Sequence, residues 1–359
     1  MFRAKLLSEN DLGVAVAALN EGELVAIPTE TVYGLAANAL NPDAVAKIFS
    51  TKDRPTFDPL IVHVWRDLNT IEALTNAKII DSSRLSPSVR NLADKLFATF
   101  WPGPLTIILP KHSAIPELVT SGLDRVGVRM PSHPLAQKLL TLCKLPLAAP
   151  SANRFGRISP TTPKHVDEEL GTKINFILDG GTCDIGVEST VIALEENIQS
   201  GDLKKASIWL IRPGKITINE LENSTHSSVQ LAKPEHEKAS PGMLTSHYAP
   251  LKPMLSIEAF KKSNSSMVLH DLSDKKIGLL VPSGSGTTET ETLKKLGITI
   301  KKTVLLSPRG VDEEAAKNLF SSMRLLDGSD VDVIIAGNSP SNAGLWLAIS
   351  DRLTRACRR

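Results

Sequence analysis

Lys52 and Arg54 stand two residues apart in STKDRPTFDPL, with Pro55 stiffening the turn that follows, and a pair of cations so placed suits an anionic ligand. Arg129 lies in the apolar run VGVRM, Arg125 falls on the same side of that extended segment, and Arg212 closes the run IWLIR. An arginine fork grips carboxylate or phosphate through two parallel hydrogen bonds, whereas lysine acts as a point charge on a phosphoryl oxygen. Hydroxyls accompany these cations: Thr29 and Thr31 in PTET, Ser151 in PSAN, Ser159 and Thr161 in SPTT, and Ser189 in EST. Each can donate to a phosphate oxygen, although such residues serve more often as helix caps and turn formers. His63 lies between Val62 and Val64, where a partly buried, satisfied imidazole is the ordinary outcome. Glu30, Asp58 and Glu188 are the carboxylates in these loops, which disfavours paired acid–base catalysis and leaves transition-state charge to the cations.

Other chemistries lack their signatures. There is no G-x-x-x-x-G-K-[ST], and Gly284-x-Gly286 meets Glu289 where a dinucleotide fingerprint needs a third glycine. Neither H-E-x-x-H nor G-x-S-x-G occurs, so zinc hydrolysis and the serine elbow have no support. Cys143, Cys183 and Cys357 are odd in number and form no C-x-x-C, which disfavours a disulfide framework and a structural zinc site and fits a reducing cytoplasm. No metal-binding residues are expected.

The candidate residues need elements to hold them. Ser8 and Asp11 predict a capping box ahead of a helix carrying Leu12, Val16 and Leu19. The run LVAI (24–27) predicts a strand stopped by Pro28, and Asn41-Pro42-Asp43 opens the next helix, so a strand delivers the loop PTETVYGL. The helix from Pro42 is expected to end near Ser50, leaving Lys52 and Arg54 in a loop before the strand LIVHV. Ser86-Pro87 opens a helix with one apolar face, Ser132 caps another that carries Leu135, Leu139 and Leu140, and LTIIL, VGVRM, PLAA, INFIL, STVIAL and IWLI predict short strands. Several of these lack the crossover helix a purely parallel sheet requires, so the expected fold is α/β, a twisted mixed sheet with helices packed on it.

The 359 residues favour two domains, and 42% hydrophobic with 22% charged residues is ordinary globular composition. With 41 basic and 39 acidic side chains the formal charge is +2, which argues against coating nucleic acid by bulk charge. No apolar run reaches the ~18 residues of a membrane span, and the opening MFRAKLLSENDLG predicts neither anchor nor secretion signal. Composition turns polar near residue 220, so the expected division is a first domain over 1–220, a linker over 221–253 and a small α/β domain over 254–359.

The ordered motifs PTETVYGL, K-x-R-P, PLIVHV, WPGPLT, VGVRMP, PSAN, SPTT, DGG, VESTV and RPG resemble the YrdC-like domain of the threonylcarbamoyl-AMP synthase family. SPGMLTSHYAP, followed by a small α/β domain ending GLWLAISDRLTRA, is similar to the long form of that family. The resemblance implies a YrdC-like domain, a linker and a small Rossmann-like α/β domain. It also implies a nucleotidyltransferase that makes threonylcarbamoyl-adenylate and pyrophosphate from L-threonine, bicarbonate and ATP, with Mg2+ accompanying the nucleotide. The product would be an activated intermediate for modifying adenosine beside the anticodon of tRNA, with handover to a tRNA threonylcarbamoyl transferase and weak or indirect tRNA contact.

Carried across residue by residue, the resemblance places Lys52 and Arg54 on the phosphates and carbamate. It puts Thr31, His63, Arg129, Ala149 and Ser189 around threonine, and Arg54, Asp58, Arg125, Ser151, Asn153, Ser159 and Arg212 on the ATP side. Ser240, Gly242, His247 and Tyr248 would form a lid over the nucleotide. Three departures are visible: Asp58 where the family has asparagine, Phe155 where it has serine, and Leu244, Thr245 and Ser246 in place of lysine, tyrosine and arginine. Two other readings stand beside this one: a non-enzymatic RNA-binding protein of YrdC-like fold, which the 4% aromatic content disfavours, and a carbamoyltransferase, whose zinc-finger cysteines this chain lacks.

Overall fold

The computed structural model describes residues 2–198, 204–232, 247–258, 272 and 274–358. The chain divides into two compact units, one of residues 1–155, 160–184 and 188–243, the other of 156–159, 185–187 and 244–359.

The first unit is built on β1 (Lys5–Leu7), β2 (Val25–Ile27), β3 (Gly34–Asn38), β4 (Ile61–His63), β5 (Leu105–Pro110), β6 (Arg125–Arg129), β7 (Leu147–Ala148), β8 (Phe176–Leu178), β9 (Thr190–Ile198), β10 (Lys204–Arg212) and β11 (Val229–Leu231). They form one sheet in the order β1-β8-β2-β3-β7-β4-β6-β5-β9-β10-β11. It is mixed, as expected: β4 runs parallel to β6, β6 antiparallel to β5, β5 parallel to β9 and β9 antiparallel to β10. Around it lie α1 (Leu12–Asn20), α2 (Pro42–Lys52), α3 (Ile71–Asn76), α4 (Pro87–Phe100), α5 (Glu117–Thr120), α6 (Pro134–Cys143), α7 (Pro163–Leu170) and α8 (Ile218–Thr225).

Local chemistry explains the helix starts. Asn41 accepts from the amides of Asp43 and Ala44, Ser86 from Val89 and Thr162 from His165, each directly before a proline whose missing N–H is harmless at the first helical position. The expected cap Ser132 is a correction: His133 Nδ1 accepts from Leu135 N, while the Ser132 amide is committed to Glu30 Oε2 at 3.0 Å. One core cluster joins α1 and α6 through Leu12, Leu19, Leu139 and Leu140 to Val25, Ile27 and Leu178 of the sheet.

Two boundaries also move. Helix α2 does not stop near Ser50 but continues through Lys52, closed by Asp53 in the left-handed region at φ 54°. The polar stretch from residue 221 does not begin as a linker: Thr217 and Glu220 form a capping box, Leu221 is buried, and α8 and β11 belong to the first unit.

The second unit has a parallel four-stranded sheet of β12 (Met254–Ser256), β13 (Ile277–Ser283), β14 (Ile300–Ser307) and β15 (Val333–Ala336) in the order β12-β15-β13-β14. Helices α9 (Thr287–Lys295), α10 (Asp312–Asp327) and α11 (Leu345–Ala356) alternate with its strands, the βαβ pattern expected from the sequence. Its core gathers Ile277, Leu279, Val281, Leu293 and Ile335. No described helix is long and apolar enough to cross a membrane.

Candidate active site

Strand register brings the predicted residues of the first unit into a row. Arg129 is the ladder partner of His63 on β4 and of Thr106 on β5, and residues directly opposite in a ladder project from the same face. Thr106 Oγ1 lies 2.8 Å from Ser189 Oγ, just before β9, and Arg212 at the end of β10 donates from Nη2 to that same Ser189 Oγ at 3.1 Å and from Nε to Ser189 O at 3.2 Å. His63, Arg129, Thr106, Ser189 and Arg212 therefore follow one another across the neighbouring strands β4, β6 and β5, the loop feeding β9, and β10 beyond it. Gly214 explains the closeness of Arg212 to Ser189: a Cβ there would come within 2.3 Å of Thr190 N and 2.6 Å of the Ser189 carbonyl carbon.

Glu30 fixes Arg129 from the loop after β2. Its carboxylate accepts from Arg129 Nη2 at 2.6 Å and from the Ser132 amide at 3.0 Å, and both side chains are buried. The Nε–H of Arg129 is buried and has no hydrogen-bond partner among the described residues. A buried guanidinium donor left open is costly to maintain, and an incoming carboxylate satisfies it. Beside it Thr31 Oγ1 lies 2.8 Å from Thr29 Oγ1, fully buried, and the Ala149 amide donates to Ile61 O at 3.0 Å. Cys183 joins this corner; burial is the main cause that pushes its thiol up to about 12.

The second group of cations lies at the end of α2. Lys52 is 1% exposed and its Nζ donates to Ser151 O and Asn153 O, which ties the PSAN loop to the helix. The expectation that Lys52 lies in a loop is thus corrected. Burial, reinforced by the Arg54 charge, holds its ammonium well below the usual lysine range. Arg54 donates from Nε to Asp58 O at 3.0 Å and from Nη2 to Pro59 O at 2.8 Å. Its Nη2 also stands 2.8 Å from Asp58 Oδ2, an ion pair in which that oxygen has no aligned hydrogen-bond donor. Burial raises the Asp58 carboxyl above its ordinary value, opposed by Arg54, Lys52 and Arg212 in that order, so Arg212 links this corner to the row. The Arg54 guanidinium lies 5.8 Å from the centre of the Phe155 ring, a contact the family's serine would not make.

Four predicted positions fall elsewhere. Arg125 shares a strand face with Arg129 but pairs with Pro110 at the far end of β5, and its Nη1 donates to Leu194 O at 3.4 Å. Four residues of extended chain separate it from the row by roughly 13 Å, so it does not join the site. Ser159 is fully buried and groups with the second unit. His247 and Tyr248 are buried in that unit too: their rings meet edge to face at 4.2 Å, Tyr248 stacks on Phe320 at 5.7 Å, and Arg352 lies 5.5 Å from its ring centre. They anchor the unit's core instead of acting as free lid residues, while Ser240 and Gly242 lie outside the described residues. Sequence reasoning gave Glu30 and Thr106 no role; the charge of Glu30 between two threonines was the one available signal.

His63 is buried and its Nδ1 lies 3.3 Å from Ile61 O; burial first, then the Arg129 charge, lowers its pKa from 6.5 to about 3. The folded chain thus refuses a proton that the unfolded chain accepts. Its contribution to stability is full above about 6.5 and is lost as the pH falls toward about 3. Between pH 7 and 5 the native protein should lose about 2 kcal/mol more than His63→Gln, at ~1.4 kcal/mol per pH unit for one proton. Denaturant titrations at the two pH values read this directly, and equal losses would show that His63 titrates normally.

Residues 17–205 match the Sua5–YciO–YrdC family, described as telomere recombination, and residues 216–357 match the C-terminal domain of threonylcarbamoyl-AMP synthase. The chain is 38% identical to threonylcarbamoyl-AMP synthase of Pyrococcus abyssi over 98% of its own length and 95% of that protein's. It is 40% identical to the Bacillus subtilis protein of the same name, covering 98% and 94%. The crystal structure of P. abyssi Sua5 complexed with L-threonine superposes with a TM-score of 0.79 at 35% identity, covering 99% of this chain and 98% of that one. The matched span, the mixed sheet with its separate parallel α/β unit and the ordered motifs agree, and the chain belongs to the long-form threonylcarbamoyl-AMP synthase family.

Proposed function

We infer that the chain forms threonylcarbamoyl-adenylate and pyrophosphate from L-threonine, bicarbonate and ATP, in the cytoplasm and in the service of tRNA modification. The observation that carries this reading is Arg129: a buried guanidinium, oriented by Glu30 through Nη2, keeps Nε–H open beside the His63–Thr106–Ser189 row. A carboxylate placed there gains a charge-assisted contact, which selects an amino acid as ligand. Thr31, His63 and Ser189 supply small polar surfaces, and neutral His63 adds no charge to repel its amine.

The nucleotide lies on the side of Lys52, Arg54 and Arg212, whose mutual electrostatic influence through Asp58 marks them as one group. Ser151 and Asn153 are held there by Lys52. The threonine amine adds to bicarbonate-derived carbon dioxide, losing a proton to give a carbamate. One carbamate oxygen then bonds to the α-phosphorus as the bond to the β-phosphate oxygen breaks, and pyrophosphate leaves with that electron pair. The cations stabilise charge on the phosphoryl oxygens. The donor set does not suit a resident magnesium cage: the described residues hold no group of three or more His, Cys, Asp or Glu placed for a metal, and Asp58 is engaged by Arg54. Mg2+ enters as part of the substrate MgATP.

Asp58 competes with the nucleotide for Arg54. Asp58→Asn removes the charge while preserving shape, and the KM for ATP should fall roughly 3- to 10-fold with kcat little changed, since a nearby like charge is removed. A raised KM would mean that Asp58 is needed to hold Arg54. The reading as a whole is tested by mass spectrometry of the nucleotide product with 13C-bicarbonate: the adenylate should gain a threonylcarbamoyl group carrying one labelled carbon. An unlabelled adenylate would refute it.

A further inference from the structure

The parallel sheet of the second unit has a cavity of about 520 Å3 beside the carboxyl ends of its strands β12 and β15. In open parallel α/β sheets, ligands gather outside those strand ends, and a volume of roughly 300–1,000 Å3 suits a ligand of nucleotide size. One wall is the loop after β15, with Asn338, Ser339 and Asn342; another is the face of α11 bearing Ser350, Leu353 and Thr354. Glu258 follows β12 at the rim, where its Oε1 accepts from Asn338 Nδ2 at 3.3 Å. Ser339 Oγ is shielded from solvent and has no hydrogen-bond partner among the described residues. A hydroxyl so placed is satisfied by a ligand or an ordered water.

We propose that this cavity is a second ligand site, distinct from the cation group of the first unit, and that it takes a ribonucleoside monophosphate. The lining selects that class. A carboxylate at a strand end accepts two hydrogen bonds from the vicinal hydroxyls of a ribose, and Glu258 stands at such an end. Asn338 and Asn342 offer donors and acceptors together, as a heterocycle's edge requires, and Leu255 and Leu353 offer apolar surface to its faces. Among the described residues of the lining Arg358 is the single cation, balanced by Glu258, so the wall suits one phosphate and not a triphosphate. Burial pushes the Cys357 thiol up to about 12, so it stays protonated and takes no nucleophilic part.

The test is calorimetric titration of AMP into the full-length protein and three variants, Glu258→Gln, Ser350→Trp and Lys52→Met. One bound equivalent should weaken at least tenfold in Glu258→Gln and disappear in Ser350→Trp, whose indole fills the cavity, yet persist in Lys52→Met. That same equivalent should bind 2′-deoxy-AMP at least tenfold more weakly, while threonine-dependent pyrophosphate release by Glu258→Gln stays at the native rate. If Ser350→Trp does not fold, Glu258→Gln and the deoxynucleotide decide. AMP binding that is absent, or that Lys52→Met abolishes and Glu258→Gln leaves intact, overturns the second site. Loss of activity in the first unit alone would leave this equivalent in place, so the two readings fail separately.

Discussion

Lys52→Met is expected to lower the rate of pyrophosphate release by ~10^2- to 10^3-fold, the effect of deleting one preorganised donor to developing charge. The variant should also be less stable, because Ser151 O and Asn153 O both lose the ammonium donor inside a buried loop. Each orphaned carbonyl costs about 1–3 kcal/mol, which places the combined loss at roughly 2–6 kcal/mol. Methionine preserves most of the side-chain volume, so the loss reads the donor and not a cavity. The measurement pairs steady-state kinetics at saturating threonine with a denaturant titration. Native turnover would remove Lys52 from the mechanism, and native stability would show that the two carbonyls find other donors.

Arg129→Ala should have the next largest effect, a fall of ~10- to 10^2-fold in kcat/KM for threonine, since one charge-assisted contact contributes about 1.5–3 kcal/mol. Glu30 would remain buried with only the Ser132 amide as its partner, an unpaired charge whose cost runs to about 3–5 kcal/mol. The double variant Arg129→Ala with Glu30→Gln separates the two consequences. Stability should recover substantially while threonine use stays lost. If Glu30→Gln restored threonine turnover as well, Arg129 would be a structural partner of Glu30 and not the carboxylate receptor.

The parts of this site that follow from local chemistry were legible in the sequence. Asn41 and Ser86 before proline marked two helix starts, the alternation in LIVHV and VGVRM marked the strands that carry His63 and Arg129, and both strands pair in register. What was not legible came from pairings distant along the chain. The contact of Glu30 with Arg129 joins residues 99 apart and diverts Ser132 from capping α6. Lys52 looked like a loop residue because the helix was expected to end near Ser50; in the structure it is buried, and the two carbonyls of the PSAN loop accept from its ammonium. Arg125 shows the limit of a two-residue period: it fixes the face of a strand but not the position along it, and the far end of β5 holds that residue. The resemblance cast His247 and Tyr248 as lid residues, whereas Phe320 and Arg352, far along the chain, lie against Tyr248 in a core.

On the proposed function, Arg129 and the Lys52–Arg54–Arg212 group serve one reaction between an amino acid and a nucleotide. Pyrophosphate release from ATP with Mg2+ and bicarbonate, followed with and without L-threonine, tests it most directly. The expected result is release that requires threonine and is lost in both Lys52→Met and Arg129→Ala. Release at the same rate without threonine would contradict it.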